Sequence, residues 1–250
     1  MAAIALLHPF PFGPPIMAPQ AEALRAAGHQ VIVPDLLAAD THRPQPPDLS
    51  FLAQEVFAAA EAAGQTGQVA VAGLSLGGYV AMAMLADAPH RVAGLALMDT
   101  KAGADDAGAA AGREAYAARV VAEGMAWVPS ATLPGLLGET TREQRPDIVE
   151  QVRQWILASD PAAVAWTQRA MAARPDSLPV LAARGNSGVG PSLVLVGAED
   201  TLSPPALAQQ MAAALGGAPL VELPGAGHLT AVECPQEVSD SLVAWAARLP

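Results

Sequence analysis

The stretch Val69–Tyr79, V-A-V-A-G-L-S-L-G-G-Y, carries the densest chemical signal in the chain. A run of small apolar residues ends in Gly73-Leu74-Ser75-Leu76-Gly77, and an apolar, helix-forming segment follows at once. A serine in a G-x-S-x-G turn between strand and helix is a nucleophile elbow: the turn pushes Oγ outward, and the glycines let neighbouring backbone approach. The start of the helix leaves backbone N–H groups free for a developing negative charge. A glycine-rich nucleotide loop is the competing reading, but neither G-x-G-x-x-G nor a phosphate-binding lysine stands here.

A serine hydroxyl needs a base to take its proton. Five histidines are available: His8, His29, His42, His90 and His228. His228 closes Pro224-Gly225-Ala226-Gly227-His228, just after the last strand-like run, where glycines let the backbone reach inward. His29 and His42 flank elements and are expected to face solvent, His90 belongs at the opposite sheet edge, and His8 shapes a loop. The base in turn needs a carboxylate to hold its tautomer. Asp200, at the end of Val194–Asp200, is the leading candidate, with Glu199 and Asp99 as alternatives. For the oxyanion, the N–H of Leu76 is one expected donor. The second must come from His8-Pro9-Phe10-Pro11-Phe12; Pro9 and Pro11 have no N–H, so Phe10 is preferred, with Phe12 behind it. No histidine pair has a helical metal-ligand spacing and a single cysteine excludes a thiolate zinc site, so neither metal nor organic cofactor is expected.

The elements that must position these groups follow from periodicity. Ala3–Leu7, Gln30–Val33, Gln68–Gly73, Val92–Met98, Ser192–Val196 and Leu220–Leu223 read as strands buried on both faces. Pro19–Ala27, Leu49–Ala63, Gly77–Ala86, Pro204–Leu215 and Pro235–Arg248 read as helices between or after them. Such alternation implies a mostly parallel sheet flanked by helices. From Lys101 to Leu181 only helical patterns occur: Asp105–Glu123, Arg142–Ala158 and Pro161–Ala173, with a Gly- and Pro-bearing break at Gly124–Gly138 and a flexible return loop at Arg184–Pro191. A single helix suffices for a crossover, so this region is expected to be an all-helical cap over the carboxyl ends of the strands rather than extra crossover helices. The expected division is a core of residues 1–100 and 184–250 and a cap of residues 101–183.

Composition narrows the class of partner. The 250 residues are 52% hydrophobic and 15% charged, which excludes a disordered chain. With 13 basic against 24 acidic residues the formal charge is −11, and the basic residues are scattered, which argues against nucleic acid and anionic membranes. No apolar run approaches the ~20 residues a transmembrane helix needs. The run Ala2–Leu7 is too short for a signal peptide. One cysteine, Cys234, fits a reducing compartment, so a cytoplasmic protein acting on a small-molecule substrate is expected.

Taken together, these motifs resemble the α/β-hydrolase superfamily over essentially the whole chain. The matching segments are L-L-H-P-F-P in the oxyanion loop, V-P-D ending at Asp35, G-L-S-L-G-G, G-A-E-D at Gly197–Asp200 and G-A-G-H at Gly225–His228. The branch most similar holds 3-oxoadipate enol-lactonases and cofactor-free haloperoxidase-like esterases. The resemblance implies an α/β-hydrolase fold with Ser75 as nucleophile, Asp200 as acid, His228 as base, and Phe10 and Leu76 as oxyanion donors. Two departures stand out: His8-Pro9 replaces the usual histidine–glycine pair, and the leading hairpin strands are expected to be missing or reduced. The implied reaction is hydrolysis of a small, hydrophobic ester or lactone. C–C bond hydrolysis, perhydrolysis and non-catalytic ligand binding are alternatives, whereas dehalogenation and epoxide opening would need an aspartate at position 75. Phe12, Trp127, Leu136, Trp155 and Trp166 are the expected pocket residues, and the acidic net charge disfavours dicarboxylic lactones.

Overall fold

The computed structural model describes residues 3–38 and 43–250, so His42 lies outside the described residues. Six strands, β1 (Ala3–Leu7), β2 (Gln30–Ile32), β3 (Val69–Leu74), β4 (Val92–Met98), β5 (Ser192–Gly197) and β6 (Leu220–Leu223), form one sheet in the order β2-β1-β3-β4-β5-β6. Every neighbouring pair is parallel. β1, β3 and β4 are buried along their whole length, which is why they read as unbroken apolar runs. The edge strands differ from the expectation of two buried faces: Gln30 and Glu222 are exposed, because an edge strand is covered less completely.

Helices α1 (Ala18–Ala26) and α2 (Leu49–Ala62) precede β3, and α3 (Leu76–Asp87) follows it directly. Between β4 and β5 lie six helices: α4 (Ala107–Glu123), α5 (Val128–Leu136), α6 (Glu139–Gln144), α7 (Pro146–Leu157), α8 (Pro161–Ala172) and α9 (Leu178–Ser187). Then come α10 (Pro205–Ala214), α11 (Thr230–Glu233) and α12 (Pro235–Ala246). α1 packs on α12, while α2, α3, α9 and α10 pack side by side as a second helical group. Among the described residues, no helix is long and apolar enough to cross a membrane.

The inserted helices depart from the sequence reading in three places. The expected break at Gly124–Gly138 contains α5, because Pro129 falls in its first turn, where a missing N–H is harmless. The expected helix Arg142–Ala158 is split into α6 and α7 at Arg145, whose extended backbone (φ −128°, ψ 65°) is what a following proline favours. The expected return loop is helical as far as Ser187, where Gly188 ends α9 in the left-handed conformation (φ 64°). α8 starts where expected and α4 two residues later than expected, each after an aspartate: Asp160 and Asp106 accept from the N–H of Ala163 and Ala109 at 2.8 and 2.7 Å. These two helices pack against each other along the insertion.

The strand order sets the site's address. The chain runs from β1 outward to β2, then returns to place β3 on the other side of β1. Open α/β sheets bind ligands in the crevice beyond the carboxyl ends of the strands at such a reversal. Here the crevice lies beyond Leu7 and Leu74.

Candidate active site

Ser75 joins β3 to α3 with φ 53° and ψ −109°. Positive φ costs a non-glycine residue of order 1–3 kcal/mol and persists only where the surroundings enforce it. They do so here: Ser75 N–H donates to the Met98 carbonyl at 2.9 Å, and Thr100 Oγ1–H donates to the Ser75 carbonyl at 2.9 Å. The turn is also pressed against β1, since a Cβ on Gly77 would lie 2.1 Å from the Leu7 carbonyl oxygen. That contact is with backbone, which cannot rotate away. Gly77→Ala is therefore expected to cost about 1–3 kcal/mol, roughly 2–4 °C of Tm per kcal/mol for a chain of this size. Activity should fall with it, because Leu7 leads directly into the loop that holds Phe10. An alanine variant with unchanged Tm would contradict so close an approach.

His228 and Asp200 converge on this serine from the loops after β6 and β5. Ser75 Oγ lies 2.8 Å from His228 Nε2, and His228 Nδ1 lies 2.8 Å from Asp200 Oδ2. A carboxylate only accepts, so Nδ1 holds the imidazole proton and Nε2 accepts from the serine hydroxyl. The other carboxylate oxygen, Oδ1, accepts from the N–H groups of Leu202 and Ser203 at 2.8 and 2.9 Å. Asp200 is thus fixed on both sides, and its residual exposure is only 3%, against 4% for His228.

The alternative acids serve elsewhere. Glu199 accepts from the Thr140 N–H at 2.9 Å and from the Thr140 hydroxyl. Asp99 is buried at the end of β4 with φ 44°. Its Oδ1 accepts from Gly197 N–H at 3.0 Å, and its Oδ2 from the Thr230 N–H at 3.2 Å and the Thr230 hydroxyl. It ties together the elements that carry Asp200 and His228. Burial, aided by the negative charge of Asp200, pushes the Asp99 carboxyl well above the usual carboxylate range. The folded state then binds more protons than the unfolded state between the two titrations, so stability falls as pH rises through that window. The Tm of the wild type should accordingly drop relative to Asp99→Asn as pH climbs from about 4, the unfolded carboxyl value. A Tm difference that stays constant with pH would contradict this.

One positioning residue was not legible from sequence. Glu233, on the short helix α11, is buried, and its Oε1 accepts from the N–H groups of Gly227 and Leu229, on either side of His228, at 3.0 and 3.1 Å. Its Oε2 accepts from Gly138 N–H at 2.8 Å. One carboxylate therefore ties the histidine loop to the inserted helices.

Of the two expected oxyanion donors, Leu76 follows Ser75 directly and Phe10 lines the same cavity as Ser75. Leu76 is the first residue of α3, and no protein acceptor faces its N–H or that of Phe10 among the described residues. Phe12, the runner-up, is removed from consideration because its N–H donates to the Pro9 carbonyl at 3.1 Å. His8 is buried and accepts from Leu36 N–H at 2.8 Å through Nε2, in keeping with a loop-shaping role. His90 lies ahead of β4, at the opposite sheet edge, and His29 is half-buried rather than exposed. Among the described residues, no cluster of His, Cys, Asp or Glu is arranged to hold a metal ion.

Ser75 and His228 open on a cavity of about 330 Å³. Leu136 lines it, as do Phe10, Met171 and Leu202, but the other four expected pocket residues are engaged elsewhere. Trp127 stands behind the wall, its ring 5.0 Å from that of Tyr116. Phe12 and Trp155 meet edge to face at 6.4 Å and line a neighbouring depression of about 360 Å³. Trp166 packs on Phe51 and donates through Nε1 to the Pro44 carbonyl at 2.9 Å. Nor is the cavity as apolar as expected, since Lys101, Arg113 and Gln168 also line it.

Residues 4–241 match the alpha/beta hydrolase family. The chain belongs to that family. Among solved structures, the alpha/beta hydrolase chain is similar to a thermophilic esterase from Thermogutta terrifontis, determined with malate bound: the two are 34% identical with a TM-score of 0.92, over 99% of this chain and 90% of that one. An enol-lactonase from Burkholderia xenovorans shares the fold at 24% identity and a TM-score of 0.85, covering 98% of this chain and 91% of that one. A hydrolase from Pseudomonas aeruginosa is 27% identical with a TM-score of 0.83, covering 98% and 89%. No curated protein sequence matches the chain.

Proposed function

We propose that this alpha/beta hydrolase is a serine hydrolase cleaving small carboxylic esters or lactones through an acyl-enzyme. The observation that carries the reading is the Ser75 Oγ–His228 Nε2 contact of 2.8 Å, backed by Asp200 on Nδ1. The likeness to an esterase at 34% identity supports the same chemistry. His228 takes the hydroxyl proton as Ser75 Oγ attacks the carbonyl carbon, and Asp200 stabilises the imidazolium that forms. The N–H groups of Leu76 and Phe10 hold the oxyanion, with the positive end of α3 behind Leu76. The imidazolium then gives its proton to the departing alkoxide. A water, deprotonated by the same nitrogen, attacks the acyl-enzyme and releases the acid, restoring the hydroxyl. Thr140 and Gly138, held by Glu199 and Glu233, support the reading that the inserted helices act as a cap over this edge. The half-buried free thiol of Cys234 supports a reducing, cytoplasmic setting.

A panel of para-nitrophenyl esters, lactones and thioesters tests the proposal. Turnover of short-chain esters or lactones is expected; inertness toward every carbonyl substrate, with the protein folded, would contradict it.

A further inference from the structure

One wall of the cavity is unused by the chemistry just described. Lys101, on the segment after β4, and Arg113, on α4, both line it, and no Asp or Glu does. In a chain with 13 basic and 24 acidic residues, two cations facing one cavity without an acid runs against the overall balance.

Beneath that wall lies a buried carboxylate. Asp105, its side chain inaccessible to solvent, receives Lys101 Nζ at 3.2 Å, Arg113 Nε at 2.5 Å and Arg174 Nη2 at 2.8 Å. Burial opposes its ionisation, but the bonds from Arg174 and Arg113 outweigh that and hold its carboxyl well below the usual range. Three cations around one anion leave a formal charge of +2. Arg174 is engaged inside the protein: it donates to the carbonyls of Met171 and Gly103, and its guanidinium lies 4.1 Å from the centre of the Tyr79 ring. Lys101 and Arg113 are the two of the three that reach the cavity, where Arg113 Nη1 also donates to Gln168 Oε1 at 2.9 Å.

We infer that Lys101 and Arg113 form a subsite for a carboxylate on the substrate, so that the preferred substrates are acidic half-esters of short dicarboxylic acids. This rests on the acyl-transfer reading above. A carboxylate accepts from both cations, and bonds between ionised partners are roughly twice as strong as neutral ones. A neutral substrate would leave Lys101, Arg113 and Arg174 sharing the single carboxylate of Asp105. The net charge of −11 acts the other way, but charges beyond about 8 Å are largely screened at physiological ionic strength. The local pair therefore outweighs the global balance.

The test compares mono(para-nitrophenyl) glutarate with its neutral methyl ester. The acid is expected to win in kcat/KM by at least about tenfold, and the ratio to fall about tenfold in Lys101→Met and in Arg113→Gln. Arg153→Gln, which removes an exposed cation on α7 (44% accessible), is expected to keep the ratio. Lys101→Met leaves Asp105 both arginines, so it remains informative should Arg113→Gln fail to fold. A second readout needs no turnover: glutarate should bind Ser75→Ala saturably in calorimetry, and about tenfold more weakly once Lys101→Met is added. A wild-type ratio near one, with glutarate binding indifferent to Lys101, would overturn the subsite even if esters are hydrolysed. Lys101-dependent glutarate binding without turnover of either ester would uphold the subsite and remove the hydrolase reading.

Discussion

Ser75→Ala is expected to lower kcat toward a para-nitrophenyl ester by roughly ten-thousand- to a million-fold, leaving KM within a few-fold. The loss is this large because the hydroxyl supplies the bond-forming atom, whereas the N–H groups of Leu76 and Phe10 and the cavity contribute only the residual acceleration. It is also a clean test of chemistry over folding. The strained turn is held through the Ser75 backbone, by Met98 and Thr100, and those hydrogen bonds survive the substitution. A variant keeping more than a tenth of wild-type kcat, with an unchanged circular dichroism spectrum, would exclude Ser75 as the nucleophile.

Asp200→Asn is expected to cost about ten-thousand-fold in kcat. The cause is a proton in the wrong place. The N–H groups of Leu202 and Ser203 would hold the asparagine carbonyl where Asp200 Oδ1 now sits, turning the NH2 group toward His228. Facing a donor, Nδ1 would have to accept, and the ring proton would move to Nε2. That nitrogen could then no longer take the proton of Ser75. Glu199→Gln, at a carboxylate bonded to Thr140 rather than to His228, should leave the rate within a few-fold, which separates the two neighbouring acids. Near-normal turnover by Asp200→Asn would remove it as the orienting acid.

The parts of this molecule that could be read from sequence are those whose causes are local. β4 and β6 have the boundaries their apolar runs suggest, because the runs end at charged or turn-forming residues. Ser75, Asp200 and His228 each sit in a short glycine-bearing segment after a strand, and a parallel sheet brings all such segments to one edge. The rest depends on long-range packing. The four aromatic residues expected around the substrate are taken up by other rings, Phe12 and Trp155 by each other, Trp166 by Phe51 and Trp127 by Tyr116, since ring-on-ring burial fills the spaces between helices. Arg113 and Gln168 are distant in sequence and meet only because α4 lies along α8. No period in the sequence marks that crossing. Glu233 was equally silent, being one acid among 24 until the chain folds three backbone N–H groups around it.

Reaction with a fluorophosphonate, followed by intact-mass measurement and peptide mapping, probes the central claim most directly, because only a hydroxyl primed by its base attacks the phosphorus. A single adduct on Ser75 is predicted, lost in both Ser75→Ala and His228→Ala. An unlabelled wild-type protein, or an adduct carried by any other residue, would contradict the account.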